Sequence, residues 1–457
     1  MSDDRRMSDS EGLMWRVDKD PHLSSTFGTV SVLDRPPDFD ALRARMERAT
    51  WAVPRLRWRV QSAPANLSAP TWVDDPEFDI DNHVRRIALP KPGTMRQLLD
   101  LASLITNDPL DRSRPLWQFV VVEGLRGGKA ALVQKMHHSI TDGEGGVQMS
   151  LQYLDFERQP PPPPPLGPGV VDVAPPPPAP STVETVRDLI IGGFRLPLGV
   201  AKQVRELLAD PAALPATSAA TLDTIRGVLQ QLSDVERARS PLWTERSLRR
   251  HVEVVRAPFR PTKDAARRLG GTLNTAFVTA AAEAASRYHV ELGAPVQELC
   301  TTMAVSTRTS AADSNAFTLA RMMVPAAPMP VQERFRLIQA IADQARGGSG
   351  GASLQTLAAV ASALPTSLVT RLARQQAQTI DFATSNVKAA PMPVYIAGAK
   401  LIENYPLGPL AGVAFNLTLL SYHGSLDMGL NIDAAAVAEP ALLAEHLDRA
   451  FADLVAD

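Results

Sequence analysis

Two close proline runs, Pro160–Pro165 and Pro175–Pro178, constrain this 457-residue chain more than any other feature. Proline fixes φ and offers no backbone donor, so neither run can enter a sheet or a helix interior. The segment is expected to run as an extended polyproline tether rising roughly 3 Å per residue. It divides the chain into an N-terminal domain over 1–158, a linker over 159–181 and a C-terminal domain over 182–457. Both outer parts have the length to bury a core of their own.

Hydrophobic periodicity on either side mixes the two element types. Strands are expected at Ser25–Leu33, Pro54–Val60, Gln118–Glu123, Gly128–Gln134, His251–Ala257, Thr301–Thr307, Asp381–Val387 and Val413–Ser421, with a hairpin completed over His423–Asp433. Helices are expected at Asp40–Trp51, Thr94–Thr106, Lys263–Leu269, Asn274–Tyr288, Val331–Ala345 and Pro440–Val455. Strands and helices follow no regular βαβ alternation, which predicts an α+β fold. Val183–Leu208 reads as helical with a kink at Pro197. Its apolar positions, interspersed with arginine and lysine, suit either a lipid surface or packing on neighbouring elements.

A net charge of −2 leaves no basic field for nucleic acid. One cysteine, Cys300, excludes an intrachain disulfide framework, and no Cys/His spacing suggests zinc. The charged start Met1–Arg6 lacks the apolar core of a signal peptide, and Leu354–Leu364 is too short to span a bilayer. A cytoplasmic protein is expected, at most resting on a membrane.

The densest chemistry lies in Lys135-Met136-His137-His138-Ser139-Ile140-Thr141-Asp142-Gly143. A hydroxyl is a poor nucleophile until its proton is removed, and neutral imidazole suits that task near pH 7. Residues 128–134 read as a strand ending at the histidines. Gly143, Gly145 and Gly146 then precede a helical pattern of Val147, Met149, Leu151, Tyr153 and Leu154. The motif therefore occupies a strand-to-helix loop, where a side chain faces a cleft yet is held by rigid neighbours. Two readings stand: a general-base site of His137, His138, Asp142 and Gly143, or a structural histidine pair with Asp142 capping the next helix.

His137–Gly143 resembles the HHxxxDG signature of an acyltransferase superfamily that includes chloramphenicol acetyltransferases and peptide-synthetase condensation domains. Further blocks resemble one branch, the bacterial wax ester synthase/diacylglycerol acyltransferase family. These are Pro115-Leu116-Trp117 with Val122-Glu123-Gly124-Leu125, Gly270-Gly271-Thr272-Leu273-Asn274, Val305-Ser306-Thr307-Arg308, Ser385-Asn386-Val387, Gly398-Ala399, and Asn416 through Gly424. The chain departs from the family pattern at Asn274-Thr275, at Lys388-Ala389-Ala390-Pro391 and at Ser314-Asn315.

The resemblance implies two chloramphenicol acetyltransferase-like α/β domains with the active site in a tunnel between them. It implies acyl-CoA as co-substrate, no other cofactor and no metal. His138 would take the proton of an acceptor hydroxyl while its oxygen attacks the thioester, forming triacylglycerol from diacylglycerol or wax ester from a long-chain alcohol at a membrane or lipid-droplet surface. Asp142 would orient the loop, with Arg308 either bridging to it or lying as a surface charge. Asn274 would donate to an oxyanion or cap a helix. Leu116 and Trp117 would wall the core or touch the acyl chain, and Asn386 and Asn416 would line the tunnel. Two alternatives remain: a transacylase fed by a carrier-protein thioester, and a lipid-surface binding protein of weakened catalysis.

Overall fold

The structure, a computed structural model, describes residues 5–62, 69–161, 240–306, 317–347 and 366–456. The proline tether beyond Pro161, the 183–208 segment, Leu354–Leu364, Arg308 and Ser314-Asn315 lie outside the described residues.

In chain order the first half comprises α1 (Asp9–Val17), β1 (Thr26–Leu33), α2 (Phe39–Ala52), β2 (Trp58–Gln61), β3 (Thr71–Asp74), β4 (Val84–Ala88), α3 (Met95–Asn107), β5 (Trp117–Leu125), β6 (Lys129–His137) and α4 (Gly143–Ser150). From residue 240 follow β7 (Arg250–Pro258), α5 (Phe259–Arg268), α6 (Leu273–Glu291), β8 (Glu298–Ser306), β9 (Phe317–Pro325), α7 (Val331–Gly347) and α8 (Thr366–Ala377). The chain closes with β10 (Phe382–Lys388), β11 (Tyr395–Ile396), β12 (Ala399–Leu407), β13 (Phe415–Tyr422), β14 (Ser425–Asp433) and α9 (Pro440–Ala456).

Two six-stranded sheets carry the fold, in the orders β11-β12-β1-β6-β5-β4 and β7-β14-β13-β10-β8-β9. Both mix strand directions: β4 runs parallel to β5, and β10 parallel to β13 and β8, while the other pairs are antiparallel. The α+β reading is therefore the observed class. β13 is buried along almost its whole length, with Phe415, Leu417 and Leu419 in the core cluster shared with helices α6 and α9 and Leu420 and Tyr422 in the cluster of the first half.

Local signals explain most element ends. α1 starts where Ser8 and Glu11 close a capping box at 3.3 and 2.9 Å. The expected strand over Pro54–Val60 begins only at Trp58. Pro54 opens a 3-10 turn over Pro54–Leu56 instead, since its fixed φ suits the first position of a helical turn. Thr272, not Asn274, caps α6, accepting from the Thr275 N–H at 3.2 Å.

The feature that sequence patterning conceals is β12. It lies after the second-half strands in the chain but pairs with β1 in the first sheet, Gly28 opposite Leu407 and Val32 opposite Glu403. Glu403, Asn404 and Pro406 interrupt any clean alternation there, and no element is assigned to the segment from sequence. The crossing is close: the Asn404 N–H donates to Asp427 at 2.7 Å, and a Cβ on Gly429 would meet the Pro406 carbonyl oxygen at 2.1 Å. Only glycine fits at that point of the crossing. The two halves are thus interlocked, and Val387, Leu420 and Tyr422 join the apolar cluster that holds Met136, Ile140 and Met149 beside the histidine motif.

Candidate active site

β6 sits inside its sheet, paired with β1 on one side and β5 on the other up to the motif. At its end the main chain stays pinned. The His137 N–H donates to the Leu116 carbonyl at 3.0 Å, the His138 N–H to the Ser25 carbonyl at 3.0 Å, and the Ile140 N–H to the His137 carbonyl at 3.0 Å. Arg55 lies over the turn, donating to the carbonyls of Ser139 and Ile140 at 3.3 and 3.4 Å while pairing with the buried Glu11. Asp142 then caps α4, accepting from the Gly145 N–H at 2.7 Å. That cap supports a helix that opens with glycine at positions 143, 145 and 146, each a poor helix former. The strand-to-helix placement of the motif is as its sequence predicts.

The two histidines have different environments. His137 is 1% exposed. Its Nδ1 accepts from the Ser139 N–H at 3.0 Å and meets the Ser139 hydroxyl at 2.7 Å. A main-chain N–H can only donate, so Nδ1 is bare and the neutral ring carries its proton on Nε2. Nε2 faces Asp18 Oδ1 at 3.6 Å, longer than a hydrogen bond and therefore an electrostatic contact. His138 is only partly buried, with its ring tilted against Phe27 at 4.6 Å.

Charged neighbours surround the buried ring. Asp18 accepts from the Ser25 N–H at 2.9 Å and from Arg112 at 3.2 Å. Burial pushes its carboxyl up, but the contact with His137, the Ser25 N–H and the Ser24 hydroxyl outweigh this and hold it below its ordinary range. Arg112 also donates to the Trp15 carbonyl at 2.7 Å and lies 3.4 Å over the Trp15 ring. Lys135, 2% exposed, donates to the Asp108 carbonyl. Burial lowers its pKa to about 8 against the pull of Asp108 and Asp18.

The other sequence candidates divide. Leu116 and Trp117 are each 1% exposed. Trp117 stacks on His83 at 4.6 Å and donates to the Leu56 carbonyl at 2.9 Å, so it packs as core, and Leu116 serves the site through its carbonyl. Asn274 and Asn386 are brought together: the Asn386 amide donates to the Asn274 side-chain oxygen, and β10, which carries Asn386, lies against α4. Asn416 is held elsewhere, its amide donating to the Pro409 carbonyl and accepting from Thr418, each at 2.8 Å. Sequence reasoning missed Asp18, Ser25, Arg55 and Arg112. None belongs to a recognisable spacing with the histidines; only the fold brings them there. Among the described residues no group of three or more His, Cys, Asp or Glu could hold a metal ion, and no helix is long and apolar enough to cross a membrane.

Comparison with known proteins adds to this geometry. The model of the wax ester synthase/diacylglycerol acyltransferase catalytic domain matches residues 7–277, and that of the C-terminal domain of the same family matches residues 314–455. A putative diacylglycerol O-acyltransferase of Mycobacterium tuberculosis is 34% identical, over 99% of this chain and 92% of its own length. A probable diacylglycerol O-acyltransferase of the same species is 28% identical, over 97% of this chain and 94% of its own. Among solved structures, the wax ester synthase/diacylglycerol acyltransferase of Marinobacter aquaeolei superposes with a TM-score of 0.66 at 22% identity, covering 98% of each chain. The starter condensation domain of rhizomide synthetase, solved with C8-CoA, superposes with a TM-score of 0.58 at 13% identity, covering 99% of this chain and 95% of that one. At these identities the two structures speak for the fold.

Proposed function

This chain belongs to the wax ester synthase/diacylglycerol acyltransferase family and is an O-acyltransferase, and from that premise we propose that it moves a long-chain acyl group from acyl-CoA to diacylglycerol or a long-chain alcohol, with His138 as general base. The observation that supports the role of His138 is the division between the paired rings. His137 is enclosed with both ring nitrogens facing protein groups, whereas His138 is partly exposed on a loop whose main chain is fixed on both sides.

In the proposed step an unprotonated ring nitrogen of His138 takes the acceptor hydroxyl proton as the oxygen bonds to the thioester carbon. The carbon–sulfur bond then breaks, and the proton passes to the departing thiolate, leaving ester and free CoA. A positioned base contributes on the order of a hundred- to ten-thousandfold, and holding donor and acceptor together contributes at least as much. Asn274 and Asn386, joined side by side near α4, are proposed to meet substrate on the second-half side of the site. Both substrates are lipids, so the reaction is placed at a membrane or lipid-droplet surface.

The test is direct. Purified protein receives labelled palmitoyl-CoA with either dioleoylglycerol or hexadecanol, and lipid products are separated while free thiol is titrated. Labelled triacylglycerol or wax ester with one thiol per ester is expected. Thiol release without ester, or no turnover with either acceptor, contradicts the proposal.

A further inference from the structure

Asp18 joins contacts that lead to both histidines of the pair, although it lies far from them in sequence. It is the C-terminal cap of α1, its N–H donating to the Met14 carbonyl at 3.0 Å, and its carboxylate turns inward. Oδ1 accepts from the Ser25 N–H at 2.9 Å and lies 3.6 Å from His137 Nε2. Oδ2 accepts from Arg112 at 3.2 Å, and Arg112 is itself clamped by the Trp15 carbonyl and ring. The carbonyl of Ser25, in the next peptide unit, continues the chain of contacts by accepting the His138 N–H at 3.0 Å.

We propose that Asp18 is a positioning residue for the transferase reaction: through Ser25 it sets the backbone of His138, and through the Nε2 side of His137, whose tautomer the Ser139 N–H already selects, it holds the tilt of the adjacent ring. The proposal rests on the reading of His138 as base. One carboxylate thereby controls both members of the pair without touching substrate. A neutral His137 with Nδ1 bare must point its Nε2 proton somewhere, and an anion at 3.6 Å gives that proton a fixed direction. A loop held this way keeps His138 within the few tenths of an ångström that proton transfer requires, where a misplacement of about 1 Å costs on the order of a hundredfold.

Asp18→Asn keeps an oxygen able to accept from the Ser25 N–H but removes the charge; Asp18→Ala removes both. Palmitoyl-CoA turnover with a saturating acceptor is measured for both variants and for His138→Ala, each checked for folding by its thermal transition. The expected result is a fall in kcat of about tenfold for Asn and about a hundredfold for Ala, with KM for palmitoyl-CoA unchanged within a factor of two. In nitrogen-15 spectra of the imidazoles, His137 is expected as the Nε2-protonated tautomer in the parent and in the Asn variant, with its Nε2 signal shifted in the variant by loss of the facing charge. Folded Asp18→Asn and Asp18→Ala with parental kcat and an unaltered His137 signal overturn the proposal, as does a loss confined to KM. If Asp18→Ala does not fold, the Asn variant alone decides by the same criteria. Full activity of His138→Ala instead overturns the base assignment on which the proposal rests, so the two failures are distinguishable.

Discussion

Lys135, two residues before the histidine pair, should make the stability of this protein rise as the solution becomes alkaline. Its side chain is 2% exposed and donates to the Asp108 carbonyl, and burial lowers its pKa from 10.5 to about 8. Below about pH 8 the ammonium is charged in both states, and the folded protein bears the cost of keeping it out of water. At about 1.36 kcal/mol per tenfold change in proton affinity, that cost is about 3 kcal/mol. Between about pH 8 and 10.5 the unfolded chain still holds the proton while the folded protein has released it. The unfolded state then binds more protons, so unfolding free energy increases with pH across that window and levels off above it. Lys135→Met keeps the length and apolar stem and removes the titration. Urea unfolding of both proteins at intervals from about pH 7 to 10 isolates the lysine. The parent should gain about 1.5 kcal/mol on the variant between about pH 8 and 9.5. Near pH 7 the relieved charge and the orphaned Asp108 carbonyl offset each other to within about 2 kcal/mol. A difference that stays flat, or that moves against the parent as pH rises, refutes the burial argument.

Trp117→Ala should destabilise the protein by about 3–5 kcal/mol in the same unfolding assay, because it empties the site between His83, Phe119 and the Leu56 carbonyl; near-parental stability with a raised KM would return Trp117 to the acyl chain. Asp142→Ala should cost about 1 kcal/mol and speed hydrogen exchange at the first amides of α4, while Asp142→Asn, which keeps the acceptor for the Gly145 N–H, should exchange more nearly as the parent does. Equal exchange in both variants would mean the cap does not hold that helix.

Much of the fold was legible because it rests on local signals. Strand β6 is a short apolar run, helices α3 and α9 have clean periodicity, and the histidine motif lies where a strand signal gives way to glycines. The fold class follows from element order alone. What remained hidden is non-local. β12 gives no clean alternation, since Asn404 accepts from the Ser31 hydroxyl and Glu403 pairs with Arg256, so its place beside β1 is set by tertiary pairing. Asn274 looked like a cap because a cap residue and the second helical residue differ by two positions, and Thr272 fits the role better. At the site, the histidines and Asp142 announced themselves by spacing, whereas Asp18 and Arg112 reach it through tertiary contacts that no spacing encodes.

The central claim is that the ring of residue 138 carries the proton of the transfer. It is tested most directly by single-turnover ester formation from labelled palmitoyl-CoA in His138→Ala beside the parent, with folding and palmitoyl-CoA binding measured on the same samples. The account predicts intact folding, binding within a few-fold, and ester formation slowed by about a hundredfold or more. Ester formation at the parental rate by the folded variant would contradict it.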